Sequence, residues 1–434
     1  MEMCGYDLRE GTNKNGVYED KVRYDLNGTQ KVTILTDEFN KIVRRHNKTE
    51  PLFAYLSFHA VHTPIVINKK DITQIKDTYQ RTNKNCNKKR TQILSMGTGM
   101  DRAIGRIVET LQRNNMWENT IIVFANDNGG RATISDNFPY KRNKSSTLEG
   151  GIRVPAFIHS NLLPESRRGE RTDNLMDMTD WLPTLLSMSQ CRARPFADKP
   201  LDGIDQSAMI ASEIEDVPTT GPRDEILHHM DYLKTFSHRN LEDPREFLTP
   251  IREELKEKGF NIKFHTGIRY KNWKLLTGYV VFRDYKLERH HLESQTEGSG
   301  DSDPTLELGK LVALFDIVED YREKTDISEQ NPEIVKLLLD KLADYYQSSV
   351  DIRFPKLMPE ADPKNFNDTW TPWIKTAEEH GFNHPLQIQF YNLEIDRLFY
   401  SVDMHLVENS EYRSEFKLRK HSRASMRKSA AGNA

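Results

Sequence analysis

The 434 residues carry 62 Lys and Arg against 65 Asp and Glu, a formal net charge of −3, and 36% of them are hydrophobic. So balanced a charge excludes a global field for nucleic acid or anionic lipid, and any affinity for an anion has to be local. The apolar content suffices for a sizeable core, expected as one large domain with a smaller one.

No run of about 18 apolar residues offers a transmembrane helix. The opening Met1-Glu2-Met3-Cys4-Gly5-Tyr6-Asp7 lacks the basic flank, apolar core and small-residue cleavage site of a signal peptide. Cys4, Cys86 and Cys191 show no paired metal-ligand spacing and allow at most one disulfide. Glycosylation sequons start at Asn27, Asn47, Asn143 and Asn367, which favours a secretory route, although no glycan is expected at Asn143.

In chain order, residues 36–45 combine a capping Thr36, early acids, late bases and apolar positions at helical spacing, and predict a helix. Residues 51–58 read as a strand ending in His59-Ala60-Val61-His62-Thr63-Pro64. His62 either closes that strand through hydrogen bonds or serves a site, since an imidazole with a pKa near about 6.5 can donate a proton or bind an anion. Residues 83–90 read as a basic surface loop. Residues 96–116 place Met100, Ile104, Ile107, Val108 and Leu111 on one helical face, a core stripe.

The chain is organised around residues 119–155. Thr120-Ile121-Ile122-Val123-Phe124-Ala125 is a short apolar run, as in a strand buried on both faces of a parallel sheet. Asn126-Asp127-Asn128-Gly129-Gly130 breaks it where open α/β sheets place their ligand crevice. Asp127 and Asn128 offer hard oxygen ligands for Ca²⁺ or Mg²⁺, while the same five residues also suit an ordinary turn.

Residues 156–158 read as another short buried strand. His228 and His229 lie on an apparent strand, where neighbours face opposite ways, so the pair reads as structural rather than as a metal site. Residues 265–278 alternate like a hairpin and residues 289–305 form a polar loop. Residues 311–317 predict a strand, and Asn331-Pro332 opens a helix to about Tyr346. The basic tail, with Lys417, Arg419, Lys420, Arg423, Arg427 and Lys428, reads as a solvated end or an interaction tail.

Several motifs taken together resemble the sulfatase family of the alkaline-phosphatase-like superfamily, and within it the arylsulfatase B group. They are Asp127-Asn128-Gly129-Gly130, Lys144, Glu149-Gly150-Gly151-Ile152-Arg153-Val154-Pro155, Val61-His62-Thr63-Pro64, Asp180-Trp181-Leu182-Pro183-Thr184-Leu185 and Ile268-Arg269-Tyr270-Lys271-Asn272-Trp273-Lys274-Leu275-Leu276-Thr277-Gly278. The resemblance implies Asp127 and Asn128 as ligands of one Ca²⁺, Lys144 as the sulfate-binding lysine and His62 as an active-site histidine. Tyr140, Lys141 and Arg142 are the expected specificity residues. Asp177 stands where the family often has a histidine, and Asp320-Tyr321-Arg322-Glu323 replaces its Asp-Pro-x-Glu turn.

The implied fold is α/β: an incomplete alkaline-phosphatase-like mixed sheet flanked by helices, with a small C-terminal antiparallel sheet and one covering helix. The expected domains are residues 1–264, a partial catalytic domain, residues 265–373, a C-terminal subdomain, and residues 374–434, a divergent extension. The implied activity is hydrolysis of a sulfate ester on a sugar or aryl alcohol, in a lysosomal or secreted setting, without nucleic acid.

In the family the nucleophile is a formylglycine made from the cysteine of Cys-x-Pro-x-Arg, and none of the three cysteines here precedes x-Pro-x-Arg. The family's early paired aspartates and Lys-x-His clamp are also not found. The sequence therefore reads as an amino-terminally incomplete arylsulfatase, inactive alone. The alternative is a non-catalytic sulfatase-like protein that binds sulfated glycans or a protein partner.

Overall fold

The computed structural model describes residues 8–14, 17–67, 69–81, 88–131, 135, 137–191, 200–232, 242–280, 310–350 and 362–370. Cys4, Cys86, Gly5-Tyr6-Asp7, the polar loop 289–305 and the basic tail lie outside the described residues.

The chain separates into two compact units, Leu26–Ser349 and the pair of segments Met1–Asp25 and Val350–Ala434. In the smaller unit, β1 (Arg9–Lys14) and β2 (Val17–Val22) form an antiparallel hairpin. Arg9 Nη1 donates to Trp370 O at 3.1 Å and Tyr24 Oη to Asn367 O at 3.2 Å, so residues near both ends of the sequence are joined there.

The larger unit begins with α1 (Lys31–Arg45), which starts before the predicted Thr36. Thr36 is buried inside the helix, and its hydroxyl donates back to Val32 O at 2.7 Å instead of capping. α2 (Lys69–Arg81) and α3 (Lys88–Arg113) follow, so residues 88–90 of the expected basic loop are helical. Phe39 and Val43 of α1 pack on Ile107 and Leu111 of α3, with Leu52, Leu56, Phe58 and Ile122 against them.

Residues 51–58 pair in no ladder among the described residues, which corrects the predicted strand. The period of two survives as facing: Leu52, Leu56 and Phe58 lean on the helices while Phe53 and Tyr55 are exposed. β3 (Ile122–Ala125) pairs antiparallel with β4 (Ala156–His159), in place of the expected parallel neighbours. Neither strand is fully buried, and Phe124 stacks on Phe157 with ring centroids 5.2 Å apart.

After the short helices α4 (Glu149–Ile152), α5 (Trp181–Met188) and α6 (Ser207–Ala211) comes an antiparallel four-stranded sheet in the order β5 (Glu225–Asp231), β6 (His265–Tyr270), β7 (Trp273–Val280), β8 (Lys310–Asp316). One face carries Ile268, Leu275, Val312 and Leu314 against α7 (Leu248–Glu257) and α8 (Pro332–Ser348). The predicted small antiparallel sheet with a covering helix is therefore present, with α7 as a second cover. Its opposite face carries Leu276, Val280, Ala313 and Phe315, and these pack on Leu148. Burying a side chain of that size contributes about 1.5–3 kcal/mol. The sheet thereby backs the loop that holds Lys144.

Candidate active site

β3 ends at Ala125, and Asn126 N donates to Pro155 O at 3.3 Å, so both strands leave their ladder side by side. Beyond that point two glycine pairs interlock. Gly129 N donates to Gly151 O at 2.9 Å, and a Cβ on Gly129 would lie 1.8 Å from Gly150 O. A Cβ on Gly150 would meet Arg142 O at 2.2 Å. Only residues without a side chain permit backbones this close, which is the physical reason for both Gly-Gly pairs.

This interlock brings the first turn to the lysine segment. Lys144 N donates to Gly130 O at 3.1 Å. Asn137 clamps the same junction: its Oδ1 accepts from Gly130 N at 2.8 Å, and its Nδ2 donates to Gly130 O at 3.1 Å, Arg142 O at 3.1 Å and Asn143 Oδ1 at 2.9 Å. Asn143, a sequon residue, is thus held within the loop. Asp127 and Lys144 are exposed and Asn128 is half-buried. Among the described residues, none of these three side chains has a hydrogen-bond or ion-pair partner.

Behind the loop lies a buried ionic cluster. α4 (Glu149–Ile152) presents Glu149, whose Oε1 accepts from Lys274 Nζ of β7 at 2.9 Å. The same ammonium lies 2.7 Å from Glu323 Oε1, and Glu323 Oε2 accepts from Glu149 N at 2.7 Å. Burial pushes the Glu323 carboxyl above the usual range, and the Lys274 ammonium opposes that shift. Lys141 joins this cluster, donating from Nζ to Glu323 O at 3.2 Å. Lys141 is therefore buried, which corrects its expected role in specificity.

His62 lies on the segment that follows residues 51–58. It is exposed, its Nδ1 lies 2.6 Å from Thr63 O, and its ring centroid is 5.5 Å from that of His59. None of its described contacts joins it to Asp127 or Lys144. Asp177 caps a short turn by accepting from Thr179 N at 2.9 Å, a structural task. Asp180 is fully buried; burial opposes its charge, but Arg223 and two backbone N–H groups hold its carboxyl below the usual range. A register shift falls between Leu227 and His229, and His228 Nε2 is buried without a partner.

The donor set for a cation is small. Asp127 and Asn128 supply hard oxygens, but Ca²⁺ takes about six to eight. Among the described residues no group of three or more His, Cys, Asp or Glu could hold a metal. The described residues therefore do not by themselves complete a calcium site.

Asn137, Lys274 and Glu323 are the members of this site that sequence reasoning missed. A lysine at an alternating hairpin position gives no sign that two carboxylates meet it in the core.

Residues 3–190 match the sulfatase family model. Arylsulfatase J of Mus musculus is 30% identical over 381 residues, covering 86% of this chain and 57% of that protein. N-acetylgalactosamine-6-sulfatase of Canis lupus familiaris is 27% identical over 192 residues, covering 42% of this chain and 33% of that protein. This chain thus spans about half or less of the length of these relatives. The solved structure of Ps i-CgsB in complex with k-i-k-neocarrahexaose superposes with a TM-score of 0.52 at 24% identity, covering 82% of this chain and 64% of that one, a likeness of fold. Interlocked glycine pairs, an uncommitted lysine beside an Asp-Asn turn and these matches lead to one conclusion: the chain carries a domain of the sulfatase family.

Proposed function

We propose that residues 126–130 and 142–144 form the sulfate-recognising wall of a sulfuric ester hydrolase acting on sulfated sugars or aryl sulfates. Lys144 binds the sulfate, Asp127 and Asn128 would offer two of the oxygens that a Ca²⁺ ion takes, and His62 protonates the leaving alkoxide or binds a sulfate oxygen. The observation that supports this reading is the backbone hydrogen bond from Lys144 N to Gly130 O, which ties the lysine segment to the turn that carries Asp127 and Asn128. An ammonium in that position stabilises the negative charge of the ester and of its transition state.

Formylglycine, when present, supplies the covalent nucleophile of sulfatase chemistry. The 434 residues contain no Cys-x-Pro-x-Arg from which to make it, so on their own they bind sulfate esters without turnover. By resemblance the setting is lysosomal or secreted.

Equilibrium binding of 4-nitrophenyl sulfate to the 434-residue chain, with its release of 4-nitrophenol, tests the proposal. Expected are saturable binding, loss of about tenfold or more in affinity in Lys144→Met, and no release. Release at enzymic rates, or binding indifferent to Lys144→Met, contradicts it.

A further inference from the structure

Beside the lysine loop lies an aromatic and guanidinium surface that the sulfate site does not use. Arg322 Cζ sits 5.1 Å from the Phe138 ring centroid and 5.5 Å from that of Tyr321. Tyr321 meets Tyr140 edge to face at 6.3 Å, and Arg153 Cζ lies 5.0 Å from the Tyr140 centroid. Two of these rings are open to solvent, Phe138 at 58% and Tyr321 at 39% exposure.

The charge of Arg322 is not neutralised locally. Among the described residues it has no carboxylate partner, and its Nε is buried without a hydrogen-bond acceptor. Its two acidic neighbours in sequence are committed elsewhere. Asp320 Oδ2 accepts from Lys324 N at 2.7 Å and Thr325 N at 2.8 Å. Glu323 is buried against Lys274 and Glu149 N. A guanidinium framed by aromatic faces and lacking a counter-ion matches an anion attached to a flat, C–H-rich body.

We propose that Phe138, Tyr140, Tyr321 and Arg322 form a subsite for an anionic sugar ring, a uronate or a second sulfated sugar, adjoining the ester held at Lys144. Rings stack on the C–H face of the sugar, and Arg322 pairs with its carboxylate or sulfate. Position supports the pairing of the two sites: Phe138 follows Asn137, whose side chain bonds to Asn143 beside Lys144. Tyr321 stands where the family's Asp-Pro-x-Glu turn has its proline. The inference rests on the sulfate reading of Lys144 only for what occupies the neighbouring position.

The test is calorimetric titration of the full chain with two probes: sulfated N-acetylgalactosamine, and a chondroitin sulfate tetrasaccharide in which uronates flank the sulfated sugar. Arg322→Gln and Tyr321→Ala are expected to weaken the tetrasaccharide about tenfold and to leave the monosaccharide unchanged, while Lys144→Met weakens both. Arg322→Lys, which keeps the charge and loses the planar fork, should fall between wild type and Arg322→Gln. Unaltered tetrasaccharide affinity in both Arg322→Gln and Tyr321→Ala overturns the subsite. If Lys144→Met changes neither affinity while Tyr321→Ala still weakens the tetrasaccharide, the subsite stands and the sulfate reading of Lys144 falls. Failure of the wild-type chain to bind either probe overturns both.

Discussion

Asn137 and Gly130 clasp each other through two hydrogen bonds, Gly130 N to Asn137 Oδ1 at 2.8 Å and Asn137 Nδ2 to Gly130 O at 3.1 Å. One side chain thereby replaces a strand partner for the turn after β3 and ties that turn to the lysine segment. Asn137→Asp keeps the acceptor and turns the donor into a second acceptor facing Gly130 O, Arg142 O and Asn143 Oδ1. It is expected to cost about 1–3 kcal/mol in denaturant unfolding and to weaken sulfate binding, with Asn137→Ala losing similar stability.

Gly129 has no room for a methyl group, because its Cβ would lie 1.8 Å from Gly150 O. Gly129→Ala is expected to push the two loops apart at about 2–4 kcal/mol, read as a lower melting temperature. An alanine variant as stable as wild type would contradict the interlock.

Lys274 bridges Glu149 and Glu323 through its ammonium, and all three are buried. Lys274→Met removes the ammonium that bridges the two carboxylates, leaving Arg153 Nη1 at 3.6 Å from Glu149 Oε2 and Lys141 Nζ on Glu323 O. Breaking such a group from one side costs about 3–5 kcal/mol. The triple variant Lys274→Met, Glu149→Gln, Glu323→Gln removes the repulsion and is expected to recover part of that loss in chemical denaturation.

His228 supplies a pH dependence. Burial first, then the charges of Lys274 and Arg269, hold its imidazole neutral well below the ordinary value. The unfolded chain therefore takes up a proton near pH 6.5 that the folded chain refuses, so stability falls as pH drops below about 6.5, by roughly 1.4 kcal/mol per unit. His228→Leu is expected to flatten that segment of the stability curve. Asp180 acts lower: its depressed carboxyl stabilises above about pH 4 and loses that contribution as pH falls through its folded value. The two effects are separable in unfolding curves from pH 7 to pH 3.

Amphipathic spacing made α1, α3 and α8 legible, and alternation made the β6–β7 hairpin legible. Asp127-Asn128-Gly129-Gly130 was legible as turn chemistry and Glu149-Gly150-Gly151 as a family motif, but their interlock was not, since close backbone approach leaves no trace beyond the glycines. The pattern at residues 51–58 reported which side chains face the helices, and carried no information on whether a neighbouring strand completes a ladder. Lys141 and Lys274 escaped because long cationic side chains are ordinarily at the surface; only the tertiary meeting with Glu149 and Glu323 makes them core residues.

The most direct test of the sulfate site is a titration of the full chain with inorganic sulfate, followed by backbone amide resonances. The account predicts that the amides of residues 126–130 and 142–146 shift together with one saturation curve, and that Lys144→Met removes both sets of shifts. Sulfate-dependent shifts confined to other parts of the chain, or shifts at residues 142–146 with residues 126–130 unmoved, would contradict it.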